Sequence, residues 1–177
     1  QLGRFAVAEV ITSRAGRYLD RPEALAAINT IAALLRGAVD EGDAAGSALY
    51  GPTTLLLDTL DTWPVWPALY ARWELGLLSA LGFGLDLDSC ALSGANDGLT
   101  HVSPKTGRAV RGSEAEGYVD RLFPLPAFLI DPGAIAMAED IADALQLTGY
   151  FLEERLFSAV NKPIPDVRAR LVPKLVG

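Results

Sequence analysis

The chain has 177 residues, 50% of them hydrophobic and 21% charged, which fits one domain, or one domain with part of another, and excludes an intrinsically disordered protein. Its 22 acidic and 15 basic residues give a net charge of −7, which excludes a protein that binds nucleic acid through its overall charge. The single cysteine, Cys90, excludes an intramolecular disulfide and a four-cysteine zinc site, so we expect an intracellular protein. No apolar run reaches the roughly 18 residues of a membrane span, and no signal peptide is recognised.

The first patterned segment runs from Arg4 to Ile11. It is rich in β-branched and aromatic residues, which predicts a strand rather than a helix. A chain that begins inside a strand is expected to be a truncation, and the partner strands would then be missing from it.

A first helix is predicted after Asp20 and Pro22, a pair typical of a helix N-terminus. The apolar residues that follow step by three and four, which lays one stripe along one face of a helix. The stripe consists of Leu25, Ile28, Ile31, Leu35 and Val39. Residues 40–46 are small and acidic, and they predict a loop.

Two further helices are expected before residue 84. One starts near Pro52, and the run 63–67 ends it because each of its two prolines disfavours helical backbone at the preceding residue. The other starts near Pro67 and ends at Gly82, a residue type common just after a helix. Its apolar positions are Leu69, Trp73, Leu77 and Leu81.

Residues 84–126 contain many turn-forming residues and predict an irregular insertion in a mainly α protein. Within the insertion, Leu99–Val102 and Arg108–Val110 are expected to pair as a hairpin. Helix is predicted to resume after Asp131 and Pro132. The apolar positions of that helix are Ile135, Ala138, Ile141 and Leu145. A last helical stretch with Phe151, Leu152, Leu156 and Val160 precedes a short basic tail.

Residues typical of catalysis are few. His101 is the only histidine, which excludes a histidine-based metal cluster, and we interpret it as a surface or packing residue of the hairpin. The carboxylates between residues 139 and 154 stand at helical spacing and fit a solvated helix face. Cys90 has no base near it in sequence and fits a small buried apolar residue. We therefore predict that the protein is not an enzyme.

Two groups of basic residues occur on this acidic chain. The insertion contributes Lys105, Arg108, Arg111 and, close behind, Arg121. The tail contributes Lys162, Arg168, Arg170 and Lys174. Such groups either dock an anionic ligand or an acidic peptide, or only balance the acidic helices, and the sequence leaves both readings open. Trp63 and Trp66, between prolines, form either a packed elbow or an exposed anchor.

Several stretches, in the same order and at similar separations, resemble the RecO family of bacterial DNA repair proteins. They are residues 73–94, which begin Trp-Glu-Leu-Gly and end Leu-Ser-Gly, then 101–110, 118–126, 147–152 and the pair Lys162-Pro163. Because the resemblance rests on several motifs over nearly the whole chain, it is more specific than any one of them.

The resemblance implies a recombination mediator of the RecF pathway, with an N-terminal OB-fold and a C-terminal helical domain that contains a zinc-finger-like insertion. It further implies that the protein works with RecR, engages the acidic C-terminal tail of the single-stranded DNA-binding protein, assists RecA loading and anneals strands. Residues 1–18 would then be the remnant of the OB-fold and a linker, and residues 19–177 the helical domain with its insertion at about 84–126. Single-stranded DNA would be bound mainly by the missing OB-fold, since a barrel without most of its strands cannot close.

The chain departs from the zinc-binding members of that family. Their pattern pairs two CxxC elements, whereas this chain has Cys90 and Ser93 in the first pair and Arg111 and Glu114 in the second. A cationic guanidinium cannot ligate zinc, so we predict an insertion that folds without metal and needs no cofactor. Apolar packing of Leu85, Leu87, Leu92 and Val102 is expected to hold it together.

We predict a cytoplasmic, nucleoid-associated docking protein whose basic residues receive the acidic tail while a groove between helices takes the terminal Phe of that tail. The basic residues expected to do so are Lys105, Arg108, Arg111, Arg121, Arg168 and Arg170. The alternative is an all-α sensor that binds a small apolar molecule in an internal pocket. That pocket would be lined by Trp73, Leu77, Ile141 and Phe151. A hydrolase that uses His101 is a third, more distant hypothesis.

Overall fold

A computed structural model describes residues 13–40 and 43–177. The strand predicted at Arg4–Ile11 lies outside these residues. Within them, the chain is mainly α-helical with one small antiparallel sheet. This confirms the expectation of a mainly α protein with a small β-containing insertion. No helix in the described ranges is long and apolar enough to cross a membrane.

A short helix α1 (Arg14–Arg17) precedes α2 (Pro22–Ala38). Pro22 opens α2 as predicted, but Arg21 is the N-cap residue and no side chain caps the helix. The predicted apolar stripe is wrong by one position, because Ile31 is its only fully buried member. The face of α2 that packs inward carries Ala24, Ala27, Thr30, Ile31 and Leu34. The small alanines on this face let neighbouring elements approach closely, and the other members of the predicted stripe are only partly buried.

Helix α3 (Ala44–Asp58) starts earlier than predicted, inside the expected loop. Asp43 is its N-cap, and the Asp43 carboxylate accepts a hydrogen bond from the Ala45 amide at 2.9 Å. Pro52 therefore lies inside α3 and does not start it. Its ring removes one amide donor, which leaves the Ala48 carbonyl without its usual intrahelical partner.

Helix α4 (Val65–Ala80) packs against α3 and is the central helix of the protein. The Trp73 indole donates to the Thr53 hydroxyl at 2.9 Å and so ties α4 to α3. Gly82 has a φ of +85°, and the Phe83 amide bonds back to the Leu78 carbonyl, the geometry that ends a helix at a glycine. The predicted end of this helix is confirmed.

The insertion folds as a three-stranded antiparallel sheet in the order β2-β1-β3. β1 (Leu99–Val102) pairs with β2 (Ala109–Arg111), which confirms the predicted hairpin. β3 (Phe123–Pro124) pairs with the other edge of β1 and was not predicted, because two residues are too short to show a period.

The packing of the insertion corrects one expectation. Val102 is buried and Leu85 and Leu87 are partly buried, but Leu92 is 64% exposed and contributes no core. Cys90 takes the inward position instead. The insertion is therefore held by Cys90, Leu99, Val102, Ala109 and Val110.

Helix α5 (Ala138–Phe151) begins later than predicted and continues as a π-helical segment over Leu152–Phe157. Residues 130–137 form a loop, so Ile135 is not on a helix stripe and is 85% exposed. The segment predicted to be a basic tail forms a helix instead, α6 (Asp166–Val176). This helix packs against α2 and α5 and buries Leu171 and Leu175.

Candidate functional site

Lys105, Arg108 and Arg111, which we call the hairpin cations, are partly or fully exposed. Two of them have acidic partners. Arg108 Nε is 3.0 Å from Asp86 Oδ2, and Arg111 Nη2 is 2.7 Å from Asp97 Oδ2. Lys105 lies in the turn between β1 and β2. Exposed ion pairs contribute about 0–1 kcal/mol, so an incoming anion could replace Asp86 or Asp97 at small cost.

Arg121 and Arg170 lie on other elements. Arg121 is exposed in the turn just before β3, and Arg170 is exposed on α6. In the described part of the chain neither side chain forms an ion pair with a carboxylate. Among the described residues no side-chain hydrogen bond joins either of them to the hairpin.

The prediction that Arg168 receives an acidic peptide requires a correction, because the guanidinium of Arg168 points into the protein. Nε and Nη2 donate to the two carboxylate oxygens of Glu74 at 2.7 and 2.8 Å, and Nη2 also reaches the Leu145 carbonyl at 2.8 Å. Glu74 has 0% exposure, and Thr148 donates to it from α5. Arg168 thus joins α6 to α4 and α5, and it is not available to an acidic peptide. No local pattern in the sequence indicates this pair, since Glu74 lies 94 positions away.

The four positions that correspond to the two CxxC pairs do come together. Cys90 Sγ donates to Glu114 Oε2 at 3.2 Å and accepts the Arg111 amide at 3.3 Å. Hydrogen bonds from Ser93 and then from the Cys90 thiol lower the pKa of the Glu114 carboxyl. Burial opposes the shift at Cys90, but hydrogen-bonding amides outweigh it and lower the pKa of the thiol. In the described ranges no group of three histidine, cysteine, aspartate or glutamate side chains is placed to hold a metal.

Arg72, on α4, is a basic residue that belongs to neither of the two basic groups in the sequence. Its Nε donates to the Phe128 carbonyl at 2.8 Å, and its Nη2 donates to the carbonyls of Phe128 and Asp131. Nη1 makes no hydrogen bond within the described residues, and no carboxylate there pairs with this cation. A cation on the same face of a helix as Leu69 and Gly76 is the signal that could have identified it.

Arg72 lies where three open grooves meet. The first, of about 450 Å³, runs between α3 and α4 and is almost wholly apolar, and Arg72 is the only charged residue among the described residues that line it. Its lining includes Leu49, Leu55, Leu56, Leu69 and Trp73. Leu55 on the rim is 60% exposed, so the apolar surface is accessible from solvent.

A second groove, of about 420 Å³, continues from the first and shares Arg72, Gly76 and Ser79 with it. Its lining includes Leu85, which lies beside Gly107 in the hairpin turn. Asp86, the next residue, holds Arg108. The two grooves therefore adjoin at Arg72, and the second includes Leu85, the neighbour of the residue that pairs with Arg108.

The residues of the alternative internal pocket are packed into the core. Leu77, Ile141 and Phe151 are buried and line neither of these two grooves, while Trp73 lines the open groove between α3 and α4. The Nδ1 atom of His101 lies 2.9 Å from the Thr100 hydroxyl, a neighbour on β1. Neither feature supports the sensor or hydrolase hypothesis.

Comparison with known proteins gives one consistent result. The family described as "Recombination protein O C terminal" matches residues 19–163, so α6 lies beyond the matched range. A "DNA repair protein RecO" of Hyphomonas neptunium is 68% identical over 99% of this chain and 72% of its own length. RecO proteins of a Ruegeria species and of Paracoccus denitrificans are 48% and 47% identical, over 95% and 100% of this chain and 69% and 71% of their own lengths. No solved structure matches the chain.

Proposed function

The chain belongs to the RecO family of DNA repair proteins, and on that premise we propose that it is a non-enzymatic docking unit of a recombination mediator. It binds the acidic C-terminal tail of the single-stranded DNA-binding protein, and that contact places the mediator on coated single strands. One observation carries this proposal: an accessible apolar groove contains one arginine that has no carboxylate partner among the described residues.

The groove between α3 and α4 receives the terminal Phe of the tail. An aromatic side chain gains free energy by leaving water for the apolar wall of Leu56, Leu69 and Trp73. The Nη1 of Arg72, which has no hydrogen-bond partner among the described residues, donates hydrogen bonds to the terminal carboxylate, and such charge-assisted bonds are stronger than neutral ones.

The acidic residues of the tail run along the second groove toward the hairpin. Arg108 pairs with Asp86, the residue after Leu85 of that groove, and Lys105 lies in the same hairpin. They act through long-range attraction and through exchange of Asp86 for a tail carboxylate. Arg111, Arg121 and Arg170 stay predictions, and none of them lines either groove.

The wider roles follow from the family. We place the protein in the cytoplasm, on the nucleoid, where it works in the RecF pathway with RecR, assists RecA loading and promotes annealing. Residues 1–18 are assigned to the end of an N-terminal OB-fold and its linker, and residues 19–177 to the helical domain, a division that the family match from residue 19 supports. Single-stranded DNA is bound mainly by the OB-fold.

The test is fluorescence anisotropy of a labelled tail peptide titrated with this chain at low and moderate salt. We expect saturable binding that weakens with salt, because part of the attraction is electrostatic. Removal of the terminal Phe should abolish binding, because the groove then has no anchor. Equal affinity for the tail with and without Phe would contradict the proposed groove.

A further inference from the structure

An open groove of about 370 Å³ lies between α5 and α6, and we call it the α5–α6 groove. One face of each helix forms a wall, because the lining positions repeat every three or four residues along both helices. Ile164 and Pro165, which lead into α6, also line it. Among the described residues, it shares none of its lining with the three grooves that meet at Arg72. It is therefore a separate surface of the protein.

Most of the lining of the α5–α6 groove is apolar and only partly covered. Leu145 is buried, whereas Ala142, Ile164, Val172 and Val176 are half-buried. Scattered exposed apolar side chains are ordinary, but several around one groove indicate an interaction surface. The groove can therefore take apolar side chains of a ligand without any change in the core.

The charged side chains that line the groove sum to a negative charge. Glu153 and Asp166 are exposed, and nowhere in residues 13–40 or 43–177 does either form an ion pair with a cation. Arg170, four positions after Asp166, does not line the groove. Arg168 does line it, but Glu74 already meets the charge of Arg168 through two hydrogen bonds. The dipole of α6 favours an acid at the first residue of that helix, which accounts for Asp166 but not for Glu153.

An aromatic side chain stands among these carboxylates. Tyr150 lines the groove and is 36% exposed. Its ring is held by Phe123 and Phe151, with ring centroids 5.0 and 5.2 Å away. An aromatic ring beside carboxylates suits a guanidinium group, which stacks on aromatic rings and pairs with carboxylates through two parallel hydrogen bonds.

One hydrogen-bond donor at the groove has no acceptor within the described residues. Nη1 of Arg168 makes no hydrogen bond there, since the bonds of this guanidinium come from Nε and Nη2. Gly149 lines the groove, and a Cβ on Gly149 would lie 2.6 Å from this Nη1 atom. The N–H groups of Nη1 can therefore donate to a carbonyl oxygen of a ligand, such as that of a peptide backbone.

We propose that the α5–α6 groove docks a segment of a partner protein that presents arginine next to apolar side chains. Guanidinium groups of the segment meet Glu153 and Asp166 and stack on Tyr150. The apolar side chains pack on Val172, and a backbone carbonyl accepts a hydrogen bond from Arg168. This partner differs from the acidic tail of the proposed function both in its charge and in the groove that it occupies.

Other occupants fit the groove less well. An acidic peptide or a nucleic acid would bring negative charge toward Glu153 and Asp166, and like charges repel. A free polyamine would meet the carboxylates, but it would leave the apolar walls uncovered and the Nη1 atom of Arg168 without an acceptor. An apolar molecule without charge would leave both carboxylates unpaired.

The experiment uses the whole chain and two labelled peptides of about 12 residues, one of leucine, serine and arginine and one in which citrulline replaces each arginine. Citrulline keeps the shape of arginine but carries no charge. In anisotropy titrations at moderate salt we expect saturable binding of the arginine peptide. The citrulline peptide should bind at least about tenfold more weakly, because it cannot pair with the carboxylates.

Two neighbouring glutamates separate docking from general attraction. Glu153 lines the groove, and Glu154, also exposed, does not. Glu153→Lys should weaken binding of the arginine peptide by about tenfold or more, because it turns attraction in the groove into repulsion. Glu154→Lys makes the same change of net charge and should weaken binding by about twofold at most. Circular dichroism should show that both variants stay folded, as expected for exposed positions.

A milder pair of variants keeps the test valid if a lysine beside Arg168 disturbs the fold. Glu153→Gln only removes a charge and should weaken binding of the arginine peptide by about threefold. Glu154→Gln should leave that affinity unchanged.

The proposal is overturned if the variants at Glu153 and Glu154 lose affinity for the arginine peptide equally, or if the citrulline peptide binds as tightly as the arginine peptide. It is also overturned if sedimentation shows a dimer of this chain that Glu153→Lys dissociates, because the occupant would then be a second copy. The acidic tail peptide should bind Glu153→Lys and Glu154→Lys equally well, so failure here is distinguishable from failure of the proposed function.

Discussion

The guanidinium of Arg168 closes on both carboxylate oxygens of Glu74, at 2.7 and 2.8 Å, and Glu74 has no exposed surface. The hydrogen bonds satisfy the carboxylate, and Thr148 adds another donor. Helix α6 therefore supplies the cation that allows a charge to lie inside the helical bundle.

Removal of that cation should be strongly destabilising. Arg168→Met leaves the Glu74 charge buried without a partner, and breaking a buried pair in this way costs about 3–5 kcal/mol. Urea unfolding measures the loss. The double variant Glu74→Met/Arg168→Met should be more stable than Arg168→Met, because no buried charge is left. A double variant that is less stable than Arg168→Met would contradict this account.

A side chain at Gly149 should also destabilise the protein, because it would disturb the same ion pair between Arg168 and Glu74. A Cβ at this position would lie 2.6 Å from Arg168 Nη1, so Gly149→Ala forces the guanidinium off Glu74. We expect a loss of about 1–3 kcal/mol, as for other overpacked sites. Gly46→Ala, with no atom within 4 Å of its Cβ, is the helical control and should be neutral or stabilising. Equal effects of the two changes in urea unfolding would refute the packing argument.

Tyr70 should show a titration that lowers stability in alkali. Its hydroxyl is fully buried and has no hydrogen-bond partner within the described residues. Burial, and then the charge of Glu74, raise the pKa of Tyr70 well above its ordinary value. A raised pKa means that the folded state holds the proton more tightly, so stability is complete below the unfolded pKa of about 10 and declines above it.

Tyr70→Phe should remove part of this alkaline loss. It should also raise the free energy of unfolding at neutral pH by about 1 kcal/mol, because it deletes an unsatisfied buried group. Tyr50→Phe, at an exposed tyrosine, is the control and should change neither quantity. Urea unfolding at neutral and at alkaline pH measures both quantities. A Tyr70→Phe variant that is less stable than the unchanged protein would show that the hydroxyl is hydrogen-bonded.

The insertion should not depend on metal. Hydrogen bonds among Cys90, Ser93, Arg111 and Glu114 occupy the place where a zinc ion would need four ligands. A chelator should therefore leave the unfolding temperature of this protein unchanged. An insertion that depended on a structural zinc ion would instead lose most of its stability when the chelator removed the metal. Elemental analysis that finds one zinc per chain would overturn this prediction.

The sequence is sufficient where the signal is local. The end of α4 at Gly82 and the hairpin of β1 and β2 follow from a glycine and from turn residues. The start of α3 is harder to predict because Pro52 resembles a helix start, although the helix begins earlier, at the Asp43 cap. Spacing alone places Ile135 on a helix, but the helix begins three residues later.

The candidate site is less predictable, because it depends on contacts far apart in sequence. Nothing near Arg168 shows that its partner is Glu74, and charge alone makes it look like a surface residue. Arg72 is difficult to recognise because it stands alone, outside both basic groups. Its role follows from backbone carbonyls of Phe128 and Asp131, more than 50 residues away, which sequence patterns do not reveal.

The central claim is that the groove between α3 and α4 receives the terminal Phe of the acidic tail, and one comparison of affinities tests it directly. Leu55→Asp puts a negative charge on the exposed rim of the groove, and Leu19→Asp makes the same change at an exposed leucine outside the groove. In anisotropy titrations at moderate salt we expect Leu55→Asp to weaken tail binding by about tenfold or more and Leu19→Asp to weaken it little. Equal affinities of the two variants for the tail peptide would contradict the account.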